Sequence, residues 1–428
     1  MFGEIGRGDC ILASLRELIR DGDTIVWGQA DAQPRRLTRA LTGQRHAWNR
    51  LRVFLGIGDS DILKPDHADV FEMVAYCGTG SNRALSKAGK LDILPCHYSQ
   101  YPELIRSGLL RVDVAMLRVS PPDDEGNYSL GLANDYLCAA IEAARVVIGE
   151  IDPAVPWTYG EFSLVKEDFD LLVDTDQDSG GTTESSAAAI ACAPHAAEAL
   201  IGANVASLVE DGATLQTGIG RLPDAILRAL HGHRELGFHS GAAGDGLVDL
   251  FESGALTNAR KPVDAGVSVA GMLIGSHKLY RFAHCNPGLR LRAATYTHAL
   301  PVLAAMPRFT ALNSAVEIDL EGRANTEVAA GHYVGAIGGA TDFMRGAHAS
   351  MGGLPIVAIA ASVKGKSSIV HRLAGPASVS AADAGVVVTE YGIADLRGQS
   401  YAERRRRLLR IASPEFREEL ERESAGKH

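Results

Sequence analysis

The sequence predicts an α/β protein of two domains, and three features of the chain support that prediction. Short apolar segments alternate with stretches of helical periodicity along its length. Its 428 residues exceed one ordinary core, so two domains of about 200 residues each are expected. A polar, turn-rich segment lies near the middle at 174–184. We predict an N-terminal domain over 1–178, a linker over 179–186 and a C-terminal domain over 187–428.

The apolar segments give the predicted strands, and the amphipathic stretches give the predicted helices. Strands of the first half are predicted at Thr24–Trp27, Arg52–Leu55, Leu91–Leu94, Val112–Leu117 and Val146–Glu150. Those of the second half are predicted at Thr214–Gln216, Gly237–His239, Val267–Leu273, Ala311–Glu317, Ile356–Ala360 and Val386–Thr389. Helices are predicted over Pro34–Leu41, Asp135–Ala144, Pro223–Leu230, Gly246–Glu252 and Glu403–Ala412.

Composition restricts the class of protein. Apolar content of 46%, charged content of 22% and a net charge of -10 are typical of a globular enzyme without a broad nucleic-acid surface. The chain has no long apolar run of membrane-spanning length and no signal peptide, so we expect a cytoplasmic protein that does not contact a membrane. Its six cysteines have no CxxC or zinc spacing, which predicts reduced, buried thiols and no metal site.

Two glycine loops are candidate ligand sites. Gly218-Ile219-Gly220 comes before a helix that begins near Pro223, and Gly335, Gly338 and Gly339 lie in one short segment that leads to Asp342. Glycine lets the backbone approach a ligand closely, and N–H groups at the start of a helix favour a phosphate or an oxyanion. Neither loop has the Walker or the GxGxxG pattern, so taken alone each is equally a plain turn.

Longer motifs resemble a known family. They are Thr214–Ala225, Leu236–Leu250, Asn313–Gly322, Asp342–Gly346, Val388–Gly398, Ser413–Phe416 and, in the first half, Val119–Asp123. In this order they are similar to the acetyl-CoA hydrolase/transferase family, which includes 4-hydroxybutyrate CoA-transferases. The resemblance implies two related open-sheet α/β domains of the CoA-transferase type, an acyl-CoA substrate and a homodimer or higher oligomer. It also implies that coenzyme A is part of the substrate, that no cofactor is bound permanently, and that both glycine loops contact CoA or the thioester carbonyl.

The chain departs from that family at one position. The family carries a glutamate that attacks the thioester where this chain has Gly241. We therefore predict an acyl-CoA enzyme without this nucleophile, which would perform hydrolysis, direct acyl transfer or carbon–carbon chemistry next to the thioester. One alternative is a conventional acyl-CoA:carboxylate CoA-transferase that uses another carboxylate, Asp245 or Glu317. Another is a non-catalytic acyl-CoA binding protein. The small residues 241–243 also predict an emptier site and an acyl group larger than acetyl.

Several side chains are candidates for the remaining chemistry. His239 and Ser240 precede the changed position, where histidine suits proton transfer and serine suits hydrogen-bond donation or attack. His97 lies in a first-half segment that the family places toward its active site. Asp245 and Glu317 are the candidate carboxylates. Each of these residues also has a purely structural interpretation, as a buried hydrogen-bonding group.

Overall fold

The computed structural model describes residues 14–175 and 195–425, and the chain forms two compact units. The first unit comprises Met1–Ala188 and Gly271–Thr295, and the second comprises Ala189–Ala270 and Tyr296–His428. This division differs from the one expected for the second domain, since Gly271–Thr295 belongs with the first unit. The expected linker lies outside the described residues, and the sequence-based domain boundaries stay a prediction.

The first unit is built on a seven-stranded parallel sheet with the order β4-β3-β2-β1-β5-β6-β7. Parallel strands are covered on both faces, and accordingly the side chains of Ile25, Val53 and Val114 are fully buried. The strands are β1 Thr24–Trp27, β2 Leu51–Leu55, β3 Phe71–Ala75, β4 Asp92–Ile93, β5 Val114–Val119, β6 Val146–Ile151 and β7 Leu171–Asp174.

Short helices and strands surround this sheet. The α-helices of the first unit are Arg35–Gly43, Asn82–Lys87, Tyr101–Arg106, Leu137–Ala143 and His277–Ala283. Its 3-10 helices are Ala30–Ala32, Arg45–Ala47, Pro65–Asp69, Tyr98–Gln100 and Lys166–Asp168, and its additional strands are Tyr128–Ser129 and Ser163–Leu164. Residues 14–18 are also helical.

The amide of Gln29 is the centre of a buried polar network in the first unit. Its nitrogen donates to Oη of Tyr98 at 2.7 Å and to Oδ2 of Asp135 at 2.6 Å, and its oxygen accepts from Tyr76 at 2.6 Å and from the Ile57 N–H at 3.0 Å. These four bonds use both donors and both acceptor positions of the amide. Burial raises the pKa of Asp135 to about 6, although the bond from Gln29 opposes that shift. The network is therefore closed around Gln29.

The second sheet follows the same strand order as the first and adds one strand. From one edge to the other, its eight strands are Leu289–Leu291, β10, β9, β8, β11, β12, β13 and β14. The pairs β8–β9, β8–β11, β11–β12 and β12–β13 are parallel, and β13–β14 is antiparallel. The strands are β8 Thr214–Thr217, β9 Gly237–Ala243, β10 Ser268–Leu273, β11 Phe309–Ser314, β12 Leu354–Ala358, β13 Val386–Thr389 and β14 Gly392–Asp395.

The α-helices around this second sheet, including one that spans the boundary between the units, are Ala196–Ala206, Arg221–Ala229, Asp245–Glu252, Ala294–Thr297, Leu300–Ala304, Ala340–Ala349, Tyr401–Ile411 and Pro414–Ala425. The additional short strands are Glu317–Asp319, Ala324–Asn325, Val328–Ala329, His332–Tyr333, Ser362–Val363, Lys366–Ser367 and Ile369–Val370. The predicted fold class is thus confirmed: the protein is α/β, with two open, mainly parallel sheets.

One predicted strand is two elements in the structure. The sequence predicts a single strand over Ala311–Glu317, but β11 ends at Ser314 and a new strand, Glu317–Asp319, begins in a different sheet. The N–H of Val316 donates to the carbonyl of Asn325 at 2.8 Å, so the chain has changed its pairing partner before Glu317. The pattern of apolar residues along a segment does not show where one strand ends and the next begins in another sheet.

Among the described residues, no helix is long and apolar enough to cross a membrane. In the same part of the chain, no cluster of three or more His, Cys, Asp or Glu side chains could hold a metal ion. Of the cysteines, Cys77 and Cys138 are buried as predicted, whereas Cys285 is exposed. Burial raises the pKa of Cys77 to about 11, which makes it an unreactive thiol at neutral pH.

Candidate functional site

A cavity of about 200 Å³ lies in the second unit at the carboxyl ends of three parallel strands. Gly218 follows β8, and the ends of β11 and β12 supply Ser314 and Ala358. The strand order reverses its direction between β8 and β11, and open parallel sheets bind ligands in the crevice at such a reversal. The complete lining is Gly218, Leu222, Pro223, Ile226, Leu312, Asn313, Ser314, Thr326, Ala336, Ile337, Gly338, Gly339, Ala340 and Ala358. We call this space the glycine-lined cavity.

Two helices begin at the wall of the glycine-lined cavity. Gly220, with φ of +114°, is the N-cap of the helix Arg221–Ala229, and Gly339 is the N-cap of Ala340–Ala349. The first N–H groups of a helix have no partner inside it, and the helix dipole places partial positive charge there. The cavity is therefore suited to a group with negative charge or a polarised carbonyl oxygen.

The second glycine loop has a shape that larger residues cannot reproduce. A Cβ on Gly335 would collide with the carbonyl oxygen of Thr326, and Gly338 has φ of +56°, in the left-handed region. Thr326 holds the loop by donating its hydroxyl to the Ala336 carbonyl at 2.6 Å. Of the predicted loop residues, Gly218, Gly338 and Gly339 line the cavity. Gly335, Ile219 and Gly220 lie beside those lining residues along the chain.

The space beside Gly241 is occupied. A Cβ on Gly241 would lie 2.9 Å from Cε1 and 3.0 Å from Nε2 of His298, and 3.5 Å from the Phe343 ring. A Cβ on Gly339 would lie 2.5 Å from the same Nε2 atom. The expectation of an emptier site is therefore wrong at this position, because an imidazole from another segment stands where a side chain at 241 would enter.

His298 is held in a defined orientation. Its ring packs against Phe343 with a centroid separation of 4.4 Å, and its Nδ1 lies 2.8 Å from the Thr297 hydroxyl. The side chain is only 5% exposed. Burial lowers the pKa of His298 to about 3, and the nearby His239 acts in the same direction. The imidazole is therefore neutral at physiological pH.

His239 and Ser240 are both fully buried in β9. Nε2 of His239 lies 3.1 Å from the Thr297 carbonyl oxygen, so this nitrogen carries a proton and donates it. The Ser240 hydroxyl donates to the Thr217 carbonyl at 2.8 Å, which joins β9 to β8. This hydrogen bond favours a structural role for Ser240. His239, through its bond to the Thr297 carbonyl, helps to hold the residue next to His298 in place.

Asp245 is the first residue of the helix Asp245–Glu252, where the helix dipole favours its negative charge. It also interacts with a second carboxylate. Burial raises the pKa of Asp224 to about 6, and the charge of Asp245 contributes to that rise while Arg228 opposes it. Asp342 has the same kind of position as Asp245, in the first turn of the helix Ala340–Ala349.

The carboxylate of Glu317 is used for hydrogen bonding. Its Oε1 accepts from the Asn325 amide at 2.9 Å and from the N–H groups of Ala374 and Gly375 at 2.8 and 3.0 Å. These bonds join three chain segments and favour a structural role. His97 lies in the first unit as the N-cap of the 3-10 helix Tyr98–Gln100, and its N–H donates to Gln100 at 2.8 Å.

Neither His298 nor Phe343 was predicted as a site residue from the sequence. Neither belongs to a recognisable pattern of catalytic residues, and both are distant from Gly241 along the chain. Only the fold brings them together. The signal that the sequence does contain is the pair of glycines, Gly241 and Gly339, which create the space that the imidazole fills.

Fold and site together define a two-domain α/β protein with a ligand cavity at the carboxyl edge of its second sheet. Comparison with protein families then identifies the class of protein. Residues 12–176 match the acetyl-CoA hydrolase/transferase N-terminal domain, and residues 275–424 match the C-terminal domain of the same family. The chain therefore belongs to the acetyl-CoA hydrolase/transferase family, and it is an enzyme of the acyl-CoA transferase/hydrolase class.

Individual relatives are similar over nearly the whole chain. The 4-hydroxybutyrate coenzyme A transferase of Clostridium kluyveri is 34% identical, with 94% of each chain covered. The succinyl-CoA:cyclohexane-1-carboxylate CoA transferase of Geobacter metallireducens is 30% identical, covering 96% of this chain and 93% of that one. Among solved structures, RipA from Yersinia pestis is 30% identical with a TM-score of 0.90, covering 97% of this chain and 96% of RipA.

Proposed function

We propose that the protein is an acyl-CoA:carboxylate CoA-transferase, which moves CoA from an acyl-CoA to a free carboxylic acid. The observation that carries the proposal is the similarity to the C. kluyveri transferase over 94% of both chains. The glycine-lined cavity supports it, because two helix N-termini provide donors for a carbonyl oxygen. At about 200 Å³ the cavity suits the acyl end of the substrate, since cavities for larger ligands are about 300–1,000 Å³.

The proposed reaction needs a carboxylate that attacks the thioester carbonyl. A carboxylate oxygen forms a bond to this carbon, the carbon–sulfur bond breaks, and CoA thiolate leaves an acid anhydride behind. The thiolate then attacks the second carbonyl of the anhydride and releases the original acid. If the acceptor acid is the attacking group, this step forms the new acyl-CoA directly. If an enzyme carboxylate attacks, CoA is left on it as a thioester, and the acceptor carboxylate repeats the same two steps on that thioester to take the CoA and free the enzyme. Gly241 has no side chain for this role, and Glu317 is engaged in three hydrogen bonds. Asp245 and the acceptor acid itself are therefore the proposed sources of the carboxylate.

A second candidate function is chemistry on the thioester without an enzyme-bound CoA intermediate: hydrolysis, direct acyl transfer or carbon–carbon chemistry. One specific observation favours it. The neutral imidazole of His298 stands beside Gly241, in the space that an attacking side chain at that position would enter. Water or a second substrate would then be the attacking group, with the helix N-termini stabilising the oxyanion.

Exchange of isotopic label separates these candidates. Purified protein is incubated with acetyl-, butyryl- and 4-hydroxybutyryl-CoA and with ¹³C-labelled acetate, and the acyl-CoA products are followed by mass spectrometry. Entry of label into acetyl-CoA supports CoA transfer, whereas release of thiol without label exchange overturns it in favour of the second candidate. No turnover at all would favour an acyl-CoA binding protein.

Variants locate the attacking carboxylate. Asp245→Asn is compared with Glu317→Gln, and borohydride reduction is used to trap an enzyme thioester. If Asp245 is the nucleophile, Asp245→Asn loses both exchange and the trapped species. If the acceptor acid attacks directly, exchange continues in both variants and no enzyme thioester is trapped in any protein.

The same proposal includes the molecular setting of the enzyme. CoA enters and leaves as part of the substrate, a carboxylic acid is the acyl acceptor, and the chain functions as a homo-oligomer in the cytoplasm. Light scattering during size-exclusion chromatography tests the oligomer, since a monomeric mass at assay concentrations would contradict it.

A further inference from the structure

A buried carboxylate lies directly beside the second glycine loop, and both of its oxygens accept hydrogen bonds. Glu327 is 3% exposed, and its Oε1 accepts from the Ser378 hydroxyl at 2.6 Å while its Oε2 accepts from the Tyr333 hydroxyl. The backbone carbonyl of Glu327 accepts from the N–H groups of Val334 and Gly335 at 2.8 and 3.0 Å. One residue therefore holds the start of the loop through both its side chain and its backbone.

Thr326, the residue before Glu327, holds the next part of the loop. Its carbonyl accepts from the Ala336 N–H at 3.2 Å, and its hydroxyl donates back to the Ala336 carbonyl at 2.6 Å. Thr326 and Ala336 both line the glycine-lined cavity. The N–H of Thr326 donates to the Ser378 hydroxyl oxygen at 3.0 Å, so the hydroxyl that bonds Glu327 also fixes Thr326.

The far end of the loop is held by the same residue. Thr341 lies in the first turn of the helix Ala340–Ala349, and its hydroxyl donates to the Ser378 carbonyl at 3.3 Å. Ser378 thus bonds the chain that enters the loop and the helix that follows it. Gly338 and Gly339, which line the cavity, lie between these two attachments. This part of the cavity wall is therefore fixed from both sides.

We propose that Glu327, Ser378 and Tyr333, which we call the loop anchor, position the second glycine loop for catalysis. The anchor directs the backbone N–H groups around Gly339 toward the thioester carbonyl oxygen of an acyl-CoA. This inference rests on the proposed acyl-CoA function and assigns positioning residues to the same site. Donors that are fixed before the reaction stabilise the oxyanion without a cost of rearrangement. A displacement of about 1 Å in such a site lowers the rate about 100-fold.

Glu327 acts through the loop rather than on the substrate. Its side chain is enclosed, and its two oxygens accept from hydroxyl groups of the same unit. The strands Val328–Ala329 and His332–Tyr333 form an antiparallel hairpin that returns the Tyr333 hydroxyl to Glu327. Burial, followed by the hydrogen bond to Glu327, raises the pKa of Tyr333, so this hydroxyl keeps its proton and donates at physiological pH. The hairpin and the loop are therefore joined through one carboxylate.

Substitutions of Glu327 separate anchoring from folding. Glu327→Met removes both acceptors at similar length, whereas Glu327→Gln can accept from the Ser378 hydroxyl and donate to the Tyr333 oxygen. For the Met variant we expect kcat to fall about 10- to 100-fold at a temperature well below its Tm, with little change in KM. The Gln variant should retain most of the wild-type kcat. A wild-type kcat in the Met variant, or an equal loss of kcat in both variants, would overturn the proposal.

Two serines of one segment provide a matched control. The Ser378 hydroxyl donates to the Glu327 carboxylate at 2.6 Å and accepts from a backbone N–H at 3.0 Å. The Ser380 hydroxyl donates to the Asp383 carboxylate at 2.8 Å and accepts from a backbone N–H at 3.3 Å, within its own turn. Ser378→Ala should lower kcat about five- to tenfold, and Ser380→Ala should leave kcat unchanged. Equal reductions would show a general effect of lost stability and contradict the anchor.

Hydrogen exchange tests the anchor without relying on turnover. Exchange of the amides in 334–341 is followed by mass spectrometry in the wild type and in both Glu327 variants. Glu327→Met should raise the exchange rate of this segment about tenfold, since loss of the buried bonds lowers the free energy of local opening. Glu327→Gln should exchange like the wild type. Unchanged exchange in the Met variant would show that Glu327 does not hold the loop.

Binding of two CoA ligands separates this inference from the proposed function. The ketone analogue of acetyl-CoA, with methylene in place of sulfur, keeps the carbonyl, whereas S-ethyl-CoA has none. In calorimetric titrations, Glu327→Met should weaken ketone binding about five- to tenfold and leave S-ethyl-CoA binding unchanged. Equal effects on both ligands, or none on either, would show that the anchor does not direct donors at the carbonyl. Absence of turnover in the wild type with this ketone discrimination present would reject only the proposed function.

Discussion

Both units place a polar side chain against a glycine, and they use that arrangement differently. In the first unit a Cβ on Gly56 would lie 2.6 Å from the Gln29 amide oxygen, and all four hydrogen-bonding positions of that amide are used within the fold. In the second unit the glycines at 241 and 339 admit His298 beside a cavity. The comparison teaches that glycine makes room for buried polar groups of two kinds: an amide whose partners are all inside the fold, and an imidazole that packs beside a glycine of the cavity wall.

The largest expected effect lies in the closed network. Gln29→Met removes four hydrogen bonds from buried partners, among them the Asp135 carboxylate, and we expect a loss of about 3–5 kcal/mol in the free energy of unfolding. Urea denaturation followed by fluorescence measures it. Gln33→Met is the matched control, because Gln33 is also buried but makes two longer bonds, of 3.2 and 3.4 Å. An equal loss of unfolding free energy in both variants would show that the network around Gln29 is no more stabilising than the weaker bonds of Gln33.

The pH dependence of stability gives a second test of the polar network around Gln29. The pKa of Asp135 is about 6 in the folded state against an ordinary 3.8, so the folded protein binds more protons between these values. The stabilising contribution of Asp135 is therefore complete below about pH 4 and is lost as pH rises to about 6, by roughly 2–3 kcal/mol. Relative to Asp135→Asn, the wild type should therefore have a lower urea midpoint at pH 7 than at pH 4.5. A pH-independent difference would contradict a raised pKa.

At the cavity, Gly241→Ala places a methyl group against His298. The added Cβ lies 2.9 Å from the ring, and because Phe343 backs the ring, we expect a cost of about 1–3 kcal/mol from overpacking. Thermal unfolding measures this cost. Gly232→Ala serves as control, since a Cβ there has no atom within 4 Å. If both variants unfold alike, the imidazole is not confined by residue 241.

The smallest effect is expected at Ser240. Ser240→Ala removes the bond to the Thr217 carbonyl and should cost about 1 kcal/mol. Turnover of acyl-CoA should remain at the wild-type level, because the hydroxyl is enclosed between β8 and β9. Loss of kcat at unchanged stability would restore Ser240 as a candidate nucleophile.

How much the sequence predicts depends on whether a feature is local. β1 and β13 follow directly from runs of apolar residues, and the helix Arg221–Ala229 follows from the proline near its start, whereas the helix Ala340–Ala349 was not predicted. The strand Phe71–Ala75 was missed, since Glu72 interrupts its apolar character. The change of strand pairing between Ser314 and Glu317 was also missed, because the periodicity of apolar residues carries no information about which strands pair.

The candidate site was predicted only in part. Glycine loops are visible in sequence because they need glycine at adjacent positions, and three of the predicted glycines line the cavity. The imidazole beside Gly241 was not visible, because tertiary folding alone brings residues 241 and 298 together. The roles of His239, Asp245, Asp342 and His97 stay predictions.

The fit between Gly241 and His298 also bears on how the sequence can change over time. Every glycine codon is one base change from a codon for aspartate or glutamate, so a carboxylate at 241 is one mutation away. The imidazole 2.9 Å from the Cβ position obstructs that change. A longer side chain at 241 would be accommodated more readily once position 298 or Phe343 had changed, so substitutions at these positions are expected to occur together rather than singly.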